Sequence, residues 1–151
     1  MMNYRHAIRT AFVATAVAFV VAGCTTMNPD ANLVAFSTTM TGANEVPPVM
    51  TPATGTVDAV LNKDTRLLRW KMSYSGLSGP ATMAHFHGPA AVGTNAKVTL
   101  PFQAPITSPY SGQATLTPEQ AADLMAGKWY ANVHTAAHKG GEIRGWMVLR
   151  P

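Results

Sequence analysis

Beyond residue 32 the chain alternates apolar and polar side chains in short runs, each closed by Gly, Pro, Asn or Asp. A period of two is the mark of half-buried β-strands, whose successive side chains point to opposite faces. Leu33 to Thr38 is the first candidate strand. Gly55 to Leu61 puts Val57, Ala59 and Leu61 on one face, and Arg66 to Tyr74 sets Leu68, Trp70, Met72 and Tyr74 against Arg69, Lys71 and Ser73. The polar turn Asn62-Lys63-Asp64-Thr65 between them predicts a β-hairpin. Further strands are expected in the segment that stops at Gly88-Pro89, at Ala96 to Phe102, and at Tyr110 to Leu116. The last pair, Trp129 to Thr135 and Glu142 to Leu149, is joined at His138-Lys139-Gly140-Gly141. Pro47-Pro48 must lie in a loop, because neither residue can donate to a ladder.

One helix is expected. Thr117 is an N-cap, Pro118 takes the first helical position, Gln120 closes a capping box and Gly127 is a C-terminal stop. Seven or eight short strands and one short helix predict an all-β fold, an antiparallel β-sandwich.

The start of the chain follows another logic. Arg5 and Arg9 precede an uncharged apolar run, Ala11 to Ala22, that is shorter than the ~20 residues of a spanning helix. It ends in Val21-Ala22-Gly23-Cys24, which resembles the lipobox of bacterial lipoproteins. Residues 1–23 are then a signal peptide, Cys24 the lipidated residue, 24–31 a tether and 32–151 the domain. The resemblance implies an exported protein held in a membrane by its N-terminal lipid. Thr25, where an aspartate would retain it in the inner membrane, leans towards the periplasmic side of the outer membrane. An ordinary secretory signal with an incidental cysteine is the alternative.

Removing residues 1–23 from the 151 leaves 128, enough for one core, and takes Arg5 and Arg9 with it. Nine basic residues then face seven acidic ones, a net of +2 in place of +4. No Lys/Arg run is interleaved with aromatics, which argues against nucleic acid as a partner. Cys24 is the one cysteine, so a metal site in the lipidated protein must use imidazole, carboxylate, thioether or backbone oxygen.

Three of the five histidines fall in two places, His85-Phe86-His87 and His134. On a strand His85 and His87 share a face, and His134 can join them from a neighbouring strand. Three imidazoles suit copper first and zinc second. Met83 has the same parity, and His138 in the following turn is a further candidate ligand. Glu142, Arg144, Asn132 and Glu45 are candidates to orient the rings. The competing interpretation makes the histidines structural, bonded to loop backbone, with Arg144 in an ordinary ion pair with Glu142 or Glu45. No Gly-x-Ser-x-Gly elbow, His-Glu-x-x-His helix or phosphate loop is present, so no catalytic residue is assigned and an enzyme is the lesser expectation.

Four ordered segments resemble one known family. Thr41-Gly42-Ala43-Asn44-Glu45-Val46-Pro47-Pro48, Ala84-His85-Phe86-His87-Gly88-Pro89-Ala90, Gly127 to Thr135 and Gly141-Glu142-Ile143-Arg144-Gly145 are similar to the CHRD domain, named for chordin and found in many bacterial exported proteins. The likeness runs from about residue 33 to 150 and implies an immunoglobulin-like or Greek-key sandwich without a defined activity. His138 and Trp146 depart from the family pattern. More loosely, the His-x-His strand resembles the copper-ligand strand of copper–zinc superoxide dismutase. The expectations are thus a metal-binding protein for buffering or delivery, a non-catalytic module docking an envelope protein, or a small copper oxidoreductase of superoxide-dismutase type.

Overall fold

A computed structural model describes residues 30–150. The signal segment, Cys24 and nearly all of the tether lie outside the described residues. Among those described, no helix is long and apolar enough to cross a membrane. The strands are β1 (Leu33–Thr41), β2 (Thr54–Asn62), β3 (Leu67–Ser75), β4 (Ala81–His87), β5 (Val98–Pro101), β6 (Tyr110–Thr115), β7 (Tyr130–Thr135), β8 (Ile143–Trp146) and β9 (Val148–Leu149). The helix α1 (Pro118–Met125) lies between β6 and β7.

All strand pairs are antiparallel, and their order is β5-β4-β7-β8-β1-β2-β3-β6, with β9 on β1. The curled sheet folds over so that its two halves face each other, the all-β sandwich expected. Its halves are continuous, because β1 and β8 meet at one pair, Thr41 with Arg144. The single last strand expected over Glu142 to Leu149 is broken at Met147. That residue's N–H bonds the carbonyl of Trp129 at 2.9 Å, after which Val148 and Leu149 pair with β1 rather than β7.

Alternation explains the first hairpin directly. Val57 pairs with Met72, Ala59 with Trp70 and Leu61 with Leu68, and all six side chains are buried. Asn62 makes the turn by accepting from the N–H groups of Asp64 and Thr65 at 3.0 and 2.9 Å. Phe86 sits at the centre of the core, with ring centroids of Trp70, Phe102 and Trp129 at 5.3, 5.0 and 5.7 Å. Truncating such an aromatic to alanine costs roughly 3–5 kcal/mol. Trp70 also lies over Gly112, its partner on β6, where a Cβ would come within 2.4 Å of the indole. The helix has its capping box, with Thr117 Oγ1 accepting from Gln120 N at 3.2 Å and Gln120 Oε1 from Thr117 N at 2.9 Å.

One strand departs from alternation, and it positions the site. Every residue of β7 is buried. Ala131 and Val133 face the core, while Tyr130, Asn132 and His134 lie on the outer face at 5% exposure or less. Three irregular stretches near residues 42–50, 88–97 and 136–142 cover that face. Asn95 joins the first two by donating from Nδ2 to the Val46 carbonyl at 3.1 Å. The result is a second, polar interior on the far side of the sheet from the apolar one.

Candidate metal centre

Ladder register lays the outer face out as a grid. Across β4 and β7, Met83 faces His134, His85 faces Asn132 and His87 faces Tyr130. Across β7 and β8, Asn132 faces Arg144 and Tyr130 faces Trp146. His85, His87 and His134 come together, each with a ring nitrogen within 4.8 Å of the others, and a group so placed can hold a metal ion. Bonds of about 2.0–2.1 Å to a trigonal ion imply N···N separations near 3.5 Å. The widest pair must therefore close by roughly 1 Å, and His85, the least buried of the three rings, has the room to do it.

The hydrogen bonds decide which nitrogens are free. His87 Nδ1 lies 3.0 Å from the Ala96 carbonyl, and His134 Nδ1 lies 2.9 Å from the Lys139 carbonyl. A carbonyl only accepts, so both rings carry the proton on Nδ1 and, when neutral, a lone pair on Nε2. Both Nε2 atoms approach one atom, Asn132 Oδ1, at 3.1 and 3.0 Å. Three acceptors facing one another repel. Turning the carboxamide over presents Nδ2 and resolves the conflict, and a cation among the lone pairs resolves it equally. His85 Nδ1 lies 3.1 Å from His134 Nε2 and supplies the third nitrogen.

Electrostatics keeps the rings neutral. Burial, followed by the neighbouring His134 and His87, pushes His85 down to about 4. Burial also lowers His87 and His134, against the carbonyl bonds that favour their protonated forms. Lone pairs are therefore available at neutral pH.

The other expected residues divide. Asn132 stands at the centre of the cluster. Met83 shares its face, opposite His134, and is 45% exposed. His138 is outside the group of three; its backbone shapes the turn, its carbonyl accepting from Gly141 N at 3.1 Å. Glu142 orients no ring. Its buried carboxylate accepts from Thr51 Oγ1, Ser78 N, Ser78 Oγ and Thr135 Oγ1 at 2.6–2.8 Å. Burial would raise its pKa, but those four bonds outweigh it and hold Glu142 at about 2. Among the described residues Arg144 is in no ion pair, contrary to the ordinary pairing expected. Its Nη1 donates to Asn95 Oδ1 at 2.8 Å and its Nη2 to the Thr94 carbonyl. Its guanidinium lies 3.4 Å from the Tyr130 ring centroid. Glu45 is buried near Gly141, and desolvation raises it to about 7 against the pull of Arg144. The orienting groups absent from the sequence reading are the carbonyls of Ala96 and Lys139. A backbone group carries no residue signature, and only the chain path reveals it.

A family model described as the CHRD domain matches residues 36–147. The chain belongs to the CHRD-domain family. No curated protein and no solved structure gives a significant match. The matched span takes in all three clustered histidines together with Glu45, Asn132, Glu142 and Arg144.

Carboxyl and imidazole shifts of opposite sign make the stability of this CHRD domain pH-dependent. His85 has a folded pKa below the 6.5 of an exposed imidazole, so as pH falls the unfolded chain takes up a proton that the folded chain excludes. Stability is then lost between about 6.5 and 4. Glu142, at about 2 against 4.5, extends the loss from about 4.5 to 2. Glu45 acts in the opposite sense: raised to about 7 from 4.5, it takes up its proton first in the folded chain and adds stability as pH falls from about 7 to 4.5. In a Glu45→Gln background, denaturant midpoints measured from pH 7 to pH 2 should fall throughout, with His85→Ala flattening the upper part and Glu142→Gln the lower. A midpoint constant from pH 7 to 4 in that Glu45→Gln background contradicts this assignment of His85.

Proposed function

We propose that this protein binds a transition metal ion, copper first and zinc second, through His85, His87 and His134, and buffers or delivers it within the cell envelope. The observation that carries the proposal is the pinning of two Nδ1–H groups by backbone carbonyls, which leaves two Nε2 lone pairs converging on one point. A ligating histidine is ordinarily oriented in this way, by a hydrogen bond from its other ring nitrogen. Imidazole donors suit copper and zinc, and the affinity order of divalent ions places copper above zinc. The partial exposure of His85 gives an ion a route in and out, which favours buffering or delivery over permanent storage. The second proposal, a structural cluster in a module that docks another envelope protein, is favoured by one fact: a turned Asn132 carboxamide satisfies the same two lone pairs without an ion.

Titration of the purified protein with copper(I), copper(II) and zinc(II) separates the two. Binding tighter than micromolar, weakened at least tenfold in His134→Ala and in His85→Ala, is the expected result. Absence of such binding, or equal binding by the variants, leaves the structural role.

The anchor belongs to the same proposal. Cys24 carries a lipid that holds the domain on the periplasmic side of the outer membrane. Metabolic labelling with palmitate should mark the wild type and not Cys24→Ser; an unlabelled wild type would refute it.

A further inference from the structure

Arg144 is an unusual neighbour for a cation site. It is fully buried, yet the ion pairs among the described residues, Lys128 with Asp123 and Arg150 with Asp58, lie elsewhere at the surface. Its hydrogen bonds go to a neutral amide oxygen and a backbone carbonyl. The guanidinium lies 3.4 Å from the Tyr130 centroid, and Tyr130 stacks parallel on His87, at 4.7 Å and 4°. These two separations together place the positive charge no more than about 8 Å from the His87 ring.

No negative charge balances it inside the site. The three histidines are neutral donors. The Glu142 carboxylate is taken up by three hydroxyls and an amide. Glu45, the acid among the described residues whose field reaches Arg144, sits near half-protonation at neutral pH and has a buried Oε1 without a hydrogen-bond partner. A fixed cation beside neutral donors in a buried pocket opposes each further unit of positive charge on a bound ion. Carboxylate or thiolate ligands would offset that charge, and three neutral imidazoles do not.

We infer that Arg144 sets the charge of the ion, and that the site selects monovalent copper(I) over divalent copper and zinc. The inference rests on the metal site proposed above and adds the ion's charge and the residue that determines it. Coulomb's law gives its size. With the ion taken at the distance of the His87 ring, about 8 Å, and an effective dielectric constant of about 20, one unit of ionic charge changes relative affinity by about thirtyfold. Imidazole accepts copper among other metals, and the Met83 thioether, opposite His134 on the same face, is the soft donor type that favours copper(I).

The test is a ratio of affinities in the whole protein. Copper(I) is measured anaerobically by competition with a chromogenic chelator, and zinc(II) and copper(II) by competition with aminocarboxylate chelators. Arg144→Met should raise both divalent affinities about thirtyfold relative to copper(I), while Arg144→Lys, which keeps the charge and loses the forked hydrogen bonds, should keep the wild-type ratio. Equal changes for all three ions in both variants would make Arg144 only a tie for residues 94–97 and overturn the inference. Because Arg144→Met is open to misfolding, Glu45→Gln at pH 8 provides a second route. Removing that carboxylate should shift the ratio several-fold further towards copper(I), and an unchanged ratio also overturns the inference. Wild-type protein that binds none of the ions defeats the metal site itself, whereas binding with an insensitive ratio defeats only the role of Arg144.

Discussion

The outer face of β7 is sealed from water, so every polar group on it needs a partner within the protein. A buried polar group left unpaired costs about 1–3 kcal/mol. Tyr130, His87 and His134 are therefore tied to loops that are themselves short of regular structure, while Asn132 meets the rings of His87 and His134. His134 reaches the Lys139 carbonyl, His87 reaches Ala96, and Tyr130 takes the Ala96 N–H on its hydroxyl at 3.1 Å. Each tie stabilises a loop, and the two histidine ties at the same time fix the tautomer of a ring. The metal site follows from this constraint, since the nitrogens not needed to hold the loops are the ones left facing inward.

The same arrangement accounts for where the charges went. Glu142 lies at the entrance to β8 yet turns away from the histidines into a nest of hydroxyls, holding residues 51, 78 and 135 together. Arg144, two residues on, enters the polar layer and ties down Thr94 and Asn95, which brings the Ala96 carbonyl within reach of His87. An acid and a base two apart in sequence thus serve two separate networks instead of pairing. The apolar side of the sheet is conventional beside this, an aromatic cluster around Phe86 enclosed by two halves of one curled sheet.

Much of the fold was legible because its physics is local. The alternation at Leu68, Trp70 and Met72 reports one buried face, and the Thr117 to Gln120 box reports a helix start whatever surrounds it. The convergence of His85, His87 and His134 was legible for the same reason, since parity is a property of the strand. The break at Met147 was not, because Glu142 to Leu149 reads as one strand and only the partners of its two ends differ. Nor was the course of the Arg144 side chain, which depends on a loop some 50 residues earlier in the chain. The pinning carbonyls of Ala96 and Lys139 were hidden most completely, because any residue type supplies one.

The central claim is that His87 and His134 hold their protons on Nδ1 and turn bare Nε2 atoms to a common point. Nitrogen-15 NMR of the imidazole rings tests it directly, first in metal-free protein and then with zinc or copper(I), both diamagnetic. The account predicts Nδ1–H tautomers for both rings at pH 7, with both Nε2 resonances moving on addition of one equivalent of metal while the Nδ1 protons stay in place. An Nε2–H tautomer in either ring, or Nε2 resonances unmoved by saturating metal, would contradict it.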